Sequence, residues 1–152
     1  QSSTDRYYQA GRGGAVSKPA TPQSYMRKAD QALLSARQLL DAGDVDGACN
    51  RAYYAMYDAA HAALRAVNVD DSASTTKTHR GLIAAFGQYL VLAGHVPVEM
   101  GSALNQVERL RLLADYTGDP VRNEDASWAV GRAEIFVAAI RKLLQSKPQN
   151  AE

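Results

Sequence analysis

A single cysteine, Cys49, is all that 152 residues provide, so no intrachain disulfide can form and the chain suits a reducing compartment. No apolar run approaches the ~18 residues that a membrane span needs, and no signal-peptide core is present. Net charge is scarce as well. Basic and acidic side chains, 17 against 16, leave +1, too little for a field that would bind nucleic acid without a local cluster. Even that excess sits at the front, with +2 within residues 1–25 and −1 in the remainder. Strand alternation is missing, since the branched and aromatic residues fall on helical periods. Missing too are His-Glu-x-x-His, Cys-x-x-Cys and a Gly-rich phosphate loop, so no metal or cofactor is expected. The expectation is a soluble cytoplasmic protein without a membrane partner, large enough to build one core unaided.

What is present is mostly helix. Residues 1–23, with Gly11, Gly13, Gly14, Pro19 and Pro22 among Ser, Thr and Gln, cannot bury enough apolar surface to order themselves and read as a flexible arm. The bundle proper is expected over residues 24–147, followed by a tail at 148–152. Helix one is expected from about Ser24 to Ala42, with Ala29, Ala32, Leu33, Ala36, Leu39 and Leu40 as its buried stripe. Gly43 supplies a left-handed stop and Asp44 the next N-cap, which forces an antiparallel hairpin. Helix two runs from about Val45 to Val67, and a polar loop, 68–77, follows. Helix three spans about Thr78 to Ala93, stopped by Gly94. Helix four starts with Pro97 in its first turn and is ended by Gly118-Asp119-Pro120. Helix five covers about Asp125 to Gln145. The spacing predicts an all-α fold, an up-down four-helix bundle with an additional fifth C-terminal helix.

Helix two carries more polar chemistry than packing requires. Ala52, Ala55, Met56, Ala59 and Ala63 make one apolar face, while Arg51, Tyr54, Asp58 and His61 recur at steps of three and four on another. A guanidinium, a phenol, a carboxylate and an imidazole thus share a stripe about three helical turns long. Such a stripe faces water, forms a buried network or lines a site. On helix four, Arg111 and Asp115 are one turn apart and able to pair, with Tyr116 just after them. If Arg51 and Arg111 turn toward one groove, their forks can clamp a phosphate while tyrosines stack on a base. The alternative is an internal network in which Asp58 and Asp115 neutralise the arginines. His79, at the start of helix three, reads as a capping or anchoring residue or as a base. Cys49 reads as a small buried thiol rather than a nucleophile.

Three blocks in order carry a resemblance. Asn50-Arg51-Ala52-Tyr53-Tyr54-Ala55-Met56-Tyr57, then His79-Arg80-Gly81-Leu82-Ile83-Ala84-Ala85-Phe86-Gly87, then Arg111-Leu112-Leu113-Ala114-Asp115-Tyr116 resemble the HEPN domain family, in its small stand-alone prokaryotic branch. The likeness covers about residues 25–146. It implies a helical bundle that forms a homodimer through the faces bearing the polar motif. It also implies a partner, a minimal nucleotidyltransferase acting as antitoxin, and a metal-independent ribonuclease activity. Nuclease members place a His roughly four to six residues after an Arg. Here Tyr116 stands where that His belongs, and a phenol is a far poorer base at neutral pH than an imidazole. Carried over by resemblance, Arg111, Asp115 and Tyr116 form the catalytic set, and Arg51, Tyr54, Asp58 and His79 the nucleotide- or RNA-binding set. Tyr116 is also the nearest analogue of the tyrosine that a nucleotidyltransferase modifies in such toxins. Three functions follow as expectations: an RNA-targeting toxin-like protein, a non-catalytic nucleotide- or RNA-binding partner of a nucleotidyltransferase, or a structural interaction bundle.

Overall fold

The computed structural model describes residues 20–69 and 77–147. The expected arm up to residue 19, most of the loop at 68–77 and the tail at 148–152 lie outside the described residues. Five α-helices follow one another, and no strand occurs among the described residues.

Helix α1, Pro22–Asp41, begins two residues ahead of the expected start. Thr21 is the reason. Its hydroxyl accepts from the Ser24 N–H at 3.0 Å while its own N–H donates to Ser24 Oγ at 2.9 Å, a reciprocal cap that satisfies two otherwise orphan donors. Pro22 then fits the first turn, where its lacking N–H costs nothing. Gly43 turns the chain at φ +85°, a region open to glycine. Asp44 accepts from the Gly47 N–H at 2.8 Å and starts α2, Val45–Ala66.

Helix α2 is the axis of the molecule and packs against all the other helices. Its inner faces are lined with Ala48, Ala52, Ala55, Ala59, Ala60, Ala62 and Ala63, all fully buried, with Tyr53, Met56 and Leu64 filling the larger gaps. Small side chains let neighbouring backbones approach closely, and the few large ones interdigitate at crystal-like density.

The expected third helix is interrupted. Helix α3, His79–Phe86, is capped by Thr78, whose hydroxyl accepts from the Gly81 N–H at 2.9 Å. It passes directly into a wider π-helical turn at Gly87–Val91, closed by Leu92 N–H donating to Gly87 O at 2.9 Å. Gly94, at φ +82°, ends the segment. Pro97 is extended at ψ 158° and serves as N-cap of α4, Val98–Tyr116, rather than as its first residue. Helix α5, Asn123–Ser146, packs on both α2 and α1. Phe136 from α5 meets Phe86 from α3 with ring centroids 5.2 Å apart. Asp46 ties the α4–α5 connection to the start of α2 by accepting from the Val121 N–H at 2.9 Å. Arg37 pairs with Glu134 at 3.2 Å, and Arg141 with Asp30, joining α1 to α5 at the surface.

Cys49 is buried near this end, and burial, helped by Asp46 and Asp125, pushes its thiol up to about 11. A protonated, enclosed thiol is inert, in line with its reading as a packing residue. No described helix is long and apolar enough to cross a membrane.

Candidate functional site

The polar residues of α2 and α4 meet around the rings of Tyr53 and Tyr54. From α2, the Arg51 guanidinium lies over the Tyr54 ring at 5.2 Å. From α4, the Arg111 guanidinium lies 4.9 Å from the Tyr53 ring and 5.9 Å from that same Tyr54 ring. Two cations from separate helices thus converge on one phenol ring, whose quadrupole offsets part of their repulsion. Arg51 Nε also donates to Asn50 Oδ1 at 3.4 Å.

Arg111 is only 9% exposed. Its Nη1 donates to Asp115 Oδ2 at 3.0 Å, one turn along α4. Burial opposes the charge of Arg111, but the Asp115 hydrogen bond and the facing tyrosines outweigh it, so the pKa is raised and the group stays cationic. Its buried Nε has no hydrogen-bond partner among the described residues. An enclosed N–H of this kind is one donor short.

His79 enters from α3. Its Nδ1 lies 2.8 Å from the Tyr53 hydroxyl, a hydrogen bond whose proton either group can supply. The imidazole packs against Tyr53, Tyr54 and Tyr57 at centroid distances of 5.5, 5.7 and 4.9 Å. Thr78, not His79, makes the helix cap, so the His79 side chain is released for this cluster. Burial, then the Arg111 charge, lowers its pKa against a smaller upward pull from Glu108. Burial also raises the Tyr53 phenol, with the Glu108 carboxylate adding to it. At neutral pH Arg111 is therefore cationic, the Tyr53 phenol intact and the His79 imidazole neutral.

The other expected residues lie outside this group. Tyr116, at the last position of α4, is 79% exposed. Asp58 borders the group through Arg51: burial lifts its carboxyl to about 6, with Lys28 of α1 and then Arg51 pulling it back down. His61 closes the far end of the stripe, away from Arg111. It is 7% exposed, stacked on Tyr25 at 4.8 Å and edge-on to Tyr57 at 4.8 Å. Burial, then Arg65 and Lys28, lowers it to about 4. Sequence reading missed Tyr53 and Glu108. Tyr53 shares the alanine face of α2 and looks like a core residue, which its ring is. Its hydroxyl is the part that reaches the site, and only the three-dimensional position of His79 reveals it. Among the described residues no group of His, Cys, Asp and Glu is arranged to hold a metal.

The profile of the HEPN domain matches residues 22–143. The chain is similar to a UPF0332 protein of Gloeobacter violaceus, with 43% identity over 80% of this chain and 94% of that relative. It is similar to a protein of Methanocaldococcus jannaschii named "Putative toxin MJ0605", 33% identical over 81% of this chain and 88% of the relative. A UPF0332 protein of Thermotoga maritima is 33% identical over 80% of this chain and 89% of its own length.

Proposed function

The chain belongs to the HEPN domain family, and from that premise we propose that it is a toxin-like component of a prokaryotic toxin–antitoxin or defence module that targets RNA through the Arg51–Tyr54–Arg111 cluster. The observation that carries the proposal is the convergence of two guanidiniums from α2 and α4 on the Tyr54 ring, at 5.2 and 5.9 Å. With a net charge of +1, the protein has no broad basic field, so any grip on a phosphate backbone must be local. A guanidinium fork matches a phosphate bidentately, and a phenol face beside it accepts a stacked base. Asp115, paired with Arg111 at 3.0 Å and 34% exposed at its side chain, orients that guanidinium and competes with an incoming anion for it. The relative named as a toxin supports the toxin-like part of the reading. Two copies related by a twofold axis would bring two such clusters into one cleft, so we propose a homodimer. Tyr116, exposed at the end of α4, is accessible as a modification target for a nucleotidyltransferase partner.

Incubation of the protein with total RNA tests this. Cleavage is expected in the parent and should fall at least ~100-fold in Arg111→Ala, as for loss of a transition-state charge stabiliser, with helical content retained by circular dichroism. Cleavage that persists in Arg111→Ala removes the assignment. A second reading is favoured by one observation, the exposed phenol of Tyr116 where an imidazole would sit on α4. In it the protein binds nucleotide or RNA without cutting, as the partner of a minimal nucleotidyltransferase. That reading predicts RNA retention by the parent, weakened in Arg51→Ala, and no cleavage products.

A further inference from the structure

We propose that His79 of α3 accepts the proton of the attacking 2′-hydroxyl when this protein cleaves RNA, with Tyr53 as the residue that positions it. The inference rests on the RNA-targeting reading above and adds to it the residue that does the proton transfer. The chain has three histidines. His61 is sealed between Tyr25 and Tyr57. His95 is exposed beside Lys147, whose Nζ is 3.3 Å from its Nδ1. Only His79 shares a platform with Arg111: both lie against the Tyr53 ring, at 5.5 and 4.9 Å, and against the Tyr54 ring, at 5.7 and 5.9 Å.

The ring is half-buried, and the Tyr53 hydroxyl at 2.8 Å fixes its Nδ1 edge. With the ring proton on Nδ1 and Tyr53 accepting it, Nε2 keeps the lone pair and is the basic nitrogen. The groups facing the imidazole are Tyr53, Tyr54 and Tyr57 from α2 and Glu108 and Arg111 from α4. The lowered pKa of His79 keeps it unprotonated at neutral pH, as a base must be. Glu108 then stabilises the imidazolium that forms.

The step balances without a further reagent. Nε2 takes the proton as the 2′-oxygen bonds to the adjacent phosphorus. The bond from phosphorus to the 5′-oxygen breaks, and that oxygen leaves with a proton from water. Products are a 2′,3′-cyclic phosphate and a 5′-hydroxyl, after which His79 returns its proton to solvent. Arg111 neutralises charge on the phosphoryl oxygens.

The test compares the parent, His79→Ala, His79→Gln, Tyr53→Phe and Arg111→Ala on one labelled RNA, measuring cleavage rate and RNA affinity separately. Both His79 variants should lose ~10²–10⁴-fold in rate, a far larger factor than any they lose in RNA affinity. Added imidazole should restore part of the rate to His79→Ala, an effect no structural role would give. The parent should show an acid limb in kcat/KM below the ordinary imidazole value, and Tyr53→Phe should shift that limb. His79 variants that cut like the parent, or His79→Ala with no response to imidazole, overturn the proposal and leave the RNA-targeting reading to Arg111→Ala. A parent that binds RNA and cuts none overturns both the cleavage and the role of His79.

Discussion

At one end of the α2 stripe His79 shares a hydrogen bond with Tyr53 and stands half-buried beside Arg111. Further along the same helix His61 is 7% exposed, held flat against Tyr25, with its Nδ1 lacking any hydrogen-bond partner among the described residues. Both imidazoles sit among tyrosines and both have lowered pKa values. The difference lies in what else reaches them. Beside His79 are a phenol hydroxyl within bonding distance on α2, and a carboxylate and a guanidinium on α4. Around His61 are aromatic faces and the positive charges of Arg65 and Lys28, which disfavour protonation and offer no proton relay. An aromatic enclosure alone makes a packing residue; a hydrogen-bonded edge with access to water makes a candidate for chemistry.

Four substitutions would sharpen or break this contrast. The largest effect is expected from Tyr53→Ala, which removes a fully buried ring from the centre of the bundle and should cost about 3–5 kcal/mol in urea unfolding. A loss below about 1 kcal/mol would mean that the ring is not part of the core, and the platform for Arg111 would lose its foundation.

Next comes the pH response of the His61 end. The folded value of His61, about 4, lies below its ordinary 6.5, so the unfolded chain takes up the proton first. Stability is therefore complete above pH 6.5 and lost as pH falls toward 4, by about 3 kcal/mol. Asp58 has the opposite sign. Its folded value, about 6, exceeds its ordinary 3.8, so the folded chain is protonated first and gains stability over nearly the same interval, by somewhat less because the carboxyl is partly exposed. Parent stability should then change little through this pair between pH 6.5 and 4. Asp58→Asn should expose the acid loss due to His61, measured as thermal midpoints across that range. A variant whose acid slope equals that of the parent would contradict the assignment of both groups.

Smaller still, Tyr53→Phe keeps the ring and deletes the hydroxyl, for a loss of about 1 kcal/mol, while the acid limb of cleavage moves. If stability falls with no change in that limb, the two ends of the stripe are equivalent packing sites. Last, Arg51→Ala should cost about 1 kcal/mol, the worth of a half-buried cation–π contact, while weakening RNA binding. Unchanged RNA affinity would remove Arg51 from the site.

The helices were legible because their apolar residues recur at helical steps. Gly43, Asp44 and Gly94 mark their ends through backbone requirements that are local, and the structure bears all three out. The π-helical turn at Gly87–Val91 was not legible: one extra residue in a turn leaves the apolar pattern of Leu82, Phe86 and Leu90 intact. Pro97 is the cap and not a first-turn residue, a distinction hidden in sequence because an extended cap and a first-turn proline look alike. For the site, the pairing of Arg111 with Asp115 is local and readable from a four-residue step. That Arg51 and Arg111 share the Tyr54 ring depends on how α2 and α4 cross, which no spacing within either helix determines. His61 misleads for the same reason, since Tyr25 of α1 covers it, and Tyr116 because α4 ends on it.

The alanine lining of α2 has a consequence for how the protein can respond to what it binds. Alanine has no side-chain torsion to adjust, so the central rod is seated largely by its backbone and has few buried rotamers to exchange with its neighbours. The tyrosine platform is consequently a rigid mount. Any accommodation of differently shaped guests must come from the long, jointed arms of Arg51 and the competing carboxylate of Asp115, which makes the grip adaptable at its rim and unyielding beneath.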